Sequence, residues 1–233
     1  MPKAKAERFE GFGDARASFF VRLAKNQNKD WFSAHKSEYE EGWQKPMQAL
    51  LGEARVALDK AYRHAELGEP HVMRIYRDVR FSKDKSPYKT WIGGGIPLAA
   101  GKAKMPEMPS ALYMHVGADE LFAGAGLYMM DPKALARFRA AVVDEKRAKE
   151  LDAISTKLVR KGYRFTAAET LKKAPKGVDP EHPRVELLKR KGLVVVYPAI
   201  PRKNLTSRAL LDVVVKASKE AAPLVEWIRF ATA

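Results

Sequence analysis

Residues 69–81 read E-P-H-V-M-R-I-Y-R-D-V-R-F, and the apolar period of the chain changes here. Before this stretch, apolar residues recur every three or four positions, which indicates helices. From Val72 onward, apolar residues alternate with polar or charged ones, a pattern typical of a half-buried β-strand. The stretch therefore predicts a helical N-terminal segment followed by a sheet.

Three helices are predicted before this change. Asp14 and Asn28 are residue types that cap helix N-termini, so we expect the first two helices to begin just after them. A third helix is expected to run over residues 47–64. The second helix carries an aromatic stripe on one face, because its members recur at every fourth position: Trp31, His35, Tyr39 and Trp43.

Four strands are predicted after the change, over residues 72–81, 88–96, 112–116 and 121–129. A hairpin turn at residues 117–120 joins the last two strands. Runs of strands and runs of helices without regular alternation indicate an α+β fold. We expect a mixed or mainly antiparallel sheet flanked by helices.

The rest of the chain is predicted to be mostly helical. Asp131 followed by proline is a strong helix start, and two helices are expected over residues 132–144 and 146–161. A β-branched strand follows near residue 193, and a C-terminal helix ends the chain, with a kink or restart expected at Pro223. For domains, we expect a flexible N-terminal tail over 1–10 and a single α+β domain over 11–233.

Composition excludes several classes of protein. The chain has no cysteine, so disulfide frameworks, thiolate zinc sites, iron–sulfur clusters and cysteine nucleophiles are excluded. We find no signal peptide and no apolar run of about 20 residues that could span a bilayer. We therefore expect a cytoplasmic protein with no membrane partner. Its 43 Lys and Arg against 28 Asp and Glu give a net charge of +15, which favours an anionic partner.

The most distinctive segment is residues 74–89, R-I-Y-R-D-V-R-F-S-K-D-K-S-P-Y-K, with six basic and two acidic residues. In an extended strand, Arg77 would fall on the apolar face, where it needs a carboxylate, an anionic ligand or a bulge. The turn at 82–87 would bring the end of the segment back alongside its start. Guanidinium groups suit bidentate phosphate binding, so we predict an anion site comprising Arg74, Arg77, Arg80, Lys83, Lys85, Tyr88 and Lys89.

The same run is similar to the signature of a bacterial family of conserved hypothetical proteins, domain of unknown function 2461. Other blocks resemble that family in the same order: N-x-N-K-D-W-F at 26–32, G-x-G-x-Y at 124–128 and L-K-K-x-P-K-G at 171–177. The resemblance covers nearly the whole chain. It implies a single family domain and no mechanism.

Other motifs give weaker signals. The glycines at 93–101 lack the spacing of a phosphate loop, and the G-x-G at 124–126 is better explained by close backbone packing. The five histidines show no helical metal-binding pair, so we predict no metal and no cofactor. A second basic block at 157–191 carries a net charge of +7, and sequence does not show whether the two blocks share a surface.

The leading hypothesis is binding of a phosphate-bearing ligand, with nucleic acid favoured over a small metabolite. One alternative is an enzyme acting on a phosphorylated molecule or phosphodiester, with Asp78, Tyr88 or His182 as weak candidates for general acid or base. Another is a structural ion-pair network of Arg77, Asp78 and Asp84. A third is a solvated edge strand whose charges resist aggregation. The oligomeric state is not indicated.

Overall fold

The N-terminal region is helical, as predicted. The structure is a computed structural model that describes residues 8–80, 83–99 and 107–233. Helices α1 to α4 come first, with a π-helical turn at Glu40–Gln44 before the last of them: Ser18–Lys25, Lys29–Ala34, Lys36–Tyr39 and Lys45–Leu58. The Asn28 side chain accepts a hydrogen bond from Trp31 N at 2.9 Å, so it caps α2 as expected.

The predicted second helix is divided at His35, where the backbone leaves helical geometry. The aromatic stripe is correspondingly divided. Tyr39 and Trp43 are buried in the core, whereas Trp31 and His35 remain half-buried. The two halves of the stripe therefore have different surroundings, and only the first half is accessible to solvent.

The sheet has six antiparallel strands, so the α+β prediction is confirmed and the sheet is antiparallel rather than mixed. Strands β1 to β6 are His71–Val72, Trp91–Pro97, Ser110–Gly117, Leu121–Leu127, Arg164–Thr166 and Leu193–Val196. Their spatial order is β1-β2-β3-β4-β6-β5, which makes β1 and β5 the two edges. The predicted turn at 117–120 is closed by a hydrogen bond from Gly117 N to Glu120 O at 2.7 Å.

The long strand predicted over residues 72–81 is wrong beyond Val72. Regular sheet pairing ends there, and the following backbone pairs with residues 87–89 of its own segment through a bridge between Tyr76 and Tyr88. The alternation of burial survives, because Ile75 is buried while Arg74 and Tyr76 are exposed. A strand of the sheet and a strand of a local hairpin give the same alternation, so the pattern did not distinguish them. Phe81 and Ser82 lie outside the described residues.

The second half of the chain adds helices α5 to α8: Pro132–Val143, Glu145–Arg160, Val185–Leu188 and Ala209–Thr232. Asp131 caps α5 as predicted, whereas α8 continues through Pro223 as one helix. Helices α4 and α8 contact each other and the sheet. Among the described residues, no helix has the length and apolar character needed to cross a membrane.

The core begins within the range predicted as a flexible tail. Phe9 is fully buried and packs edge-on against Phe12. Its backbone N donates to Glu53 Oε1 at 2.6 Å, and its backbone O accepts from Arg208 Nη1 at 2.7 Å. The chain is therefore packed from Phe9 onward, and residues 1–7 lie outside the described range.

The G-x-G at 124–126 is explained by close packing, as expected. A Cβ at Gly124 would lie 2.7 Å from the Val195 carbonyl oxygen, and one at Gly126 would lie 2.3 Å from that of Leu193. Gly126 also has a φ of +124°, which side chains of L-residues rarely permit. These glycines therefore allow β6 to approach β4.

Candidate anion-binding site

The basic segment at 74–89 forms an irregular hairpin on the β1 side of the sheet. Arg77 N donates to Pro87 O at 2.9 Å and Lys89 N donates to Ile75 O at 2.8 Å. These two bonds flank Tyr76 and Tyr88, which makes them a non-hydrogen-bonded pair with close side chains. Their ring centroids are 5.6 Å apart.

The hairpin is anchored to the N-terminal helices by Tyr88. Its ring stacks on Phe32 of α2 at 4.4 Å, and its backbone N donates to the Gln27 side chain at 3.1 Å. Tyr88 is only 4% exposed, and burial raises the pKa of its hydroxyl. The structure therefore places Tyr88 as a packing residue, and Tyr76, which is 51% exposed, is the exposed aromatic residue among the hairpin residues that the structure describes.

Three cations converge at the start and end of this hairpin, and we call Arg74, Arg77 and Lys89 the cation cluster. Lys89 Nζ donates to the Arg74 carbonyl oxygen at 2.9 Å and lies 5.0 Å above the ring of Trp91. Burial lowers the pKa of Lys89, and the positive charges of Arg74 and Arg77 lower it further. Arg74 and Arg77 are thus close enough to Lys89 to disfavour its charged form.

Two of the predicted anion-binding arginines are paired with acids of the hairpin. Arg77 Nη1 lies 2.7 Å from Asp84, and Arg80 Nη2 lies 2.8 Å from Asp78. Hydrogen bonds from Arg80 hold the pKa of Asp78 down to about 2. These pairs are what the structural alternative expected for Arg77 and Asp84, whereas Asp78 is bonded to Arg80 instead of Arg77.

The remaining predicted cations have different surroundings. Arg74 is exposed, and its guanidinium makes no hydrogen bond or ion pair with the described residues. Lys83 is exposed and equally without a partner in the described part of the chain. Lys85 Nζ donates to the Val79 carbonyl oxygen at 2.9 Å and so closes the hairpin loop. Arg74 is therefore the cluster residue best placed to receive an anion.

The structure does not bring His182 to the cation cluster. His182 follows β5 at the far edge of the sheet, and its Nδ1 accepts a hydrogen bond from Arg184 N at 3.0 Å. Four strands separate β5 from β1, the edge next to the hairpin. The second basic block includes β5, so the two basic blocks lie at opposite edges of the sheet.

Sequence reasoning missed a chain of polar side chains on β3 and the β3–β4 turn, next to the cluster. Tyr113 Oη lies 3.3 Å from His115 Nδ1, and His115 Nε2 lies 3.2 Å from Glu120 Oε2. The His115 ring is held between Trp91 at 4.6 Å and Phe122 at 4.7 Å. The period of two on β3 and the hairpin turn at 117–120 are the sequence signals that could have placed these side chains together. Within the described residues, no three His, Asp or Glu side chains are grouped as metal ligands.

The fold defines an α+β protein with helices packed on an antiparallel sheet and a basic hairpin beside β1. Comparison with protein families identifies a match to the family described as conserved hypothetical protein DUF2461, over residues 15–227. The match covers most of the chain, and the chain therefore belongs to that family, as its motifs suggested. A comparison with curated proteins gives no match.

Proposed function

We propose that the protein binds a phosphate-bearing ligand at the cation cluster. The observation that carries the proposal is that Arg74 and Arg77 lie close enough to Lys89 for their charges to act on its ammonium group. Two carboxylates of the hairpin oppose these three cations: Asp84 pairs with Arg77, and Asp78, which is bonded to Arg80, also interacts with the charge of Arg74. An anion beside Lys89 would favour its charged form. The two arginines offer forked donors, and Lys89 offers a compact point charge, a combination suited to phosphate oxygens.

The ion pairs are compatible with this proposal. Asp84 accepts from only one terminal nitrogen of Arg77, and Arg77 Nε is buried without a hydrogen-bond partner among the described residues. Asp84 therefore orients the guanidinium without cancelling the charge of the cluster as a whole. Arg80 forms an exposed bidentate pair with Asp78 and is not counted in the cluster.

Nucleic acid is the favoured ligand class within this proposal. Tyr76 exposes half of its surface and lies two positions after Arg74 in the chain, so a base can stack beside a bound phosphate. Aromatic platforms next to cations are the common way to bind single strands without sequence preference. The net charge of +15 exceeds what one nucleotide needs. A cytoplasmic location, where such ligands are present, is part of the proposal.

A salt titration tests the proposal. Labelled single-stranded DNA and RNA of mixed sequence are titrated with protein between about 50 and 200 mM salt, and binding is followed by fluorescence anisotropy. We expect affinity to fall steeply with salt. The Arg74→Gln/Lys89→Gln variant should lower the salt slope by about 0.7 for each phosphate that the protein no longer neutralises.

The matched control is Lys157→Gln/Arg160→Gln, which removes two exposed cations from α6 in the second basic block. This control lowers the net charge by the same amount as Arg74→Gln/Lys89→Gln but leaves the cation cluster intact. We expect it to bind like the wild type. Equal losses of affinity in both variants, or a flat salt response of the wild type, would reject the cluster as the binding site.

A further inference from the structure

A three-residue chain next to the cation cluster has the arrangement of a nucleophile, a base and an orienting group. We call Tyr113, His115 and Glu120 the Tyr113 relay. Tyr113 Oη is 3.3 Å from His115 Nδ1, and the other ring nitrogen of His115 is 3.2 Å from Glu120 Oε2. An oxygen acid beside an imidazole that a carboxylate orients is the recurring signature of covalent catalysis, and such contacts are often loose before substrate binds.

The surroundings of His115 determine its protonation. The residue is only 5% exposed and lies between two aromatic rings, and this burial lowers its pKa, while the nearby Glu120 charge opposes the effect. A neutral imidazole has one donor and one acceptor nitrogen. The acceptor is Nδ1 when the Tyr113 hydroxyl donates to it, which directs the Nε2 proton towards Glu120.

The contact with Glu120 is the incomplete part of the relay. His115 Nε2 is buried, and at 3.2 Å from the carboxylate it is within ion-pair distance, but it does not meet hydrogen-bond geometry. Buried polar atoms without a hydrogen bond are rare and call for an explanation. The Glu120 side chain is 69% exposed, so a rotation in solvent can align its carboxylate with Nε2.

Tyr113 is positioned by the strand next to it. Gly93 of β2 lies beneath its phenol, and a Cβ at that position would be 2.8 Å from Tyr113 Oη. Part of the Tyr113 side chain stays exposed. Burial raises the pKa of its hydroxyl to about 12, so the oxygen stays protonated at neutral pH and needs a base to react.

The relay lies beside the proposed phosphate site. Lys89 Nζ is above the ring of Trp91, and the same indole contacts the His115 imidazole. A cation of the cluster and the base of the relay therefore contact the same aromatic ring. A phosphate ester held by Lys89 would lie next to the Tyr113 relay.

We propose that the Tyr113 relay is a catalytic site for phosphodiesters, with Tyr113 as nucleophile, His115 as general base and Glu120 as the residue that positions His115. The substrate class rests on the proposed function, because the cation cluster would hold the ester. Tyr113 Oη attacks phosphorus and its proton passes to His115 Nδ1. The bond from phosphorus to the leaving oxygen breaks, and His115 returns the proton to that oxygen.

A second step completes the reaction. Water attacks the phosphorus of the phosphotyrosine, and His115 accepts its proton. The bond from phosphorus to Tyr113 Oη breaks, and the phenolate recovers the proton from His115. The overall change is hydrolysis of one phosphodiester to one phosphomonoester and one alcohol, with no oxidant or reductant.

The test uses bis(4-nitrophenyl) phosphate and the full chain. Release of 4-nitrophenolate is followed by absorbance, and the adduct is located by intact mass and peptide mapping. We expect a 4-nitrophenyl phosphoryl group on Tyr113, no adduct on this residue in Tyr113→Phe, and adduct formation slowed by about 100-fold or more in His115→Gln.

Two further variants separate a catalytic role from a structural one. Glu120→Gln changes an exposed side chain and should slow adduct formation without lowering the melting temperature. Tyr128→Phe removes the hydroxyl of an exposed tyrosine that lies near Tyr113 but outside the relay, and this variant should still form the Tyr113 adduct. Absence of a Tyr113 adduct in the wild type, or an unchanged rate in a folded His115→Gln or Glu120→Gln, would overturn the proposal.

Measurements of oligonucleotide binding distinguish a failure of the relay proposal from a failure of the proposed phosphate-binding function. Oligonucleotide binding by the wild type and by the cluster variants is therefore measured beside adduct formation. Salt-dependent binding by a wild type that forms no Tyr113 adduct would reject the relay alone. A Tyr113 adduct in a protein whose oligonucleotide binding ignores the cluster variants would reject the proposed function alone.

Discussion

The two basic blocks of this protein carry net charges of +4 at 74–89 and +7 at 157–191 and arrange their charges differently. In the hairpin at 74–89, burial lowers the Lys89 pKa, and the positive charges of Arg74 and Arg77 lower it further. In the block at 157–191, acids from α6 and α8 meet several of the cations: Arg184 lies 2.9 Å from Asp152 and Lys161 lies 2.9 Å from Glu220. Asp152 raises the pKa of Arg184. Local convergence of cations therefore distinguishes a candidate anion site better than the number of charges does.

The largest effect is expected from charge reversal at Arg74, compared with the same change at Arg160 in the second block. Arg74→Glu removes a phosphate donor and adds a repulsive carboxylate, so we expect single-stranded DNA to bind about 100-fold more weakly at low salt. Arg160→Glu makes the same change on α6 and should alter affinity by less than about threefold. Anisotropy titrations measure both, and a larger loss of affinity in Arg160→Glu would place the site in the second block.

Two exposed tyrosines give the next test. Tyr76 is 51% exposed beside the cluster, and Tyr128 is 53% exposed after β4. Tyr76→Leu should weaken single-strand binding about tenfold, because a stacked base contributes about 1–3 kcal/mol. Tyr128→Leu should have no effect on the same titration. If the two variants bind equally, Tyr76 does not stack on a base.

A smaller effect is expected for Arg77, and it separates binding from structure. Arg77→Ala removes the Asp84 ion pair and one cluster cation, so both the melting temperature and the affinity for oligonucleotides should fall, the affinity by about threefold. A structural network predicts a lower melting temperature with unchanged affinity. Calorimetry and anisotropy on the same preparation decide between these outcomes.

The smallest effect concerns pH and the acids of the hairpin. Folding depresses the pKa of Asp78 from 3.8 to about 2, so its ion pair stabilises the fold above about pH 4 and this contribution disappears as pH falls towards about 2. We expect Asp78→Asn to melt slightly below the wild type at about pH 5 to 7 and to match it near about pH 2. A difference that persists at the acid end would show that the pair is not its cause.

Local sequence signals predicted much of the fold. Asn28 and Asp131 cap their helices with side chains only a few residues from their partners, and the turn at 117–120 is equally local. The prediction of a strand over residues 72–81 was wrong because the alternation of apolar and polar residues specifies which side chains are buried, but not which strand is the pairing partner. The backbone after Val72 pairs with its own hairpin, a choice that depends on contacts with α2.

As with the fold, the local features of the candidate site were predictable from the sequence, and its long-range contacts were not. The turn in residues 82–87 indicated that Lys89 returns towards Arg74, and Arg77 was expected to meet a carboxylate, which is Asp84. Burial of Tyr88 depends on Phe32, far earlier in the chain, and no local pattern reveals that partner. The Tyr113 relay combines two side chains on the same face of β3 with Glu120 from the β3–β4 turn. Separate sequence motifs for the strand and the turn do not show that these side chains meet.

The most direct measurement is the titration of Lys89 by NMR on protein with isotopically labelled lysine side chains. The resonance is assigned with Lys89→Gln. In the free protein, the Lys89 pKa should lie below the usual lysine value, and single-stranded DNA should raise it, because a phosphate favours the charged ammonium. A Lys89 pKa that stays unchanged while the oligonucleotide binds would contradict the account.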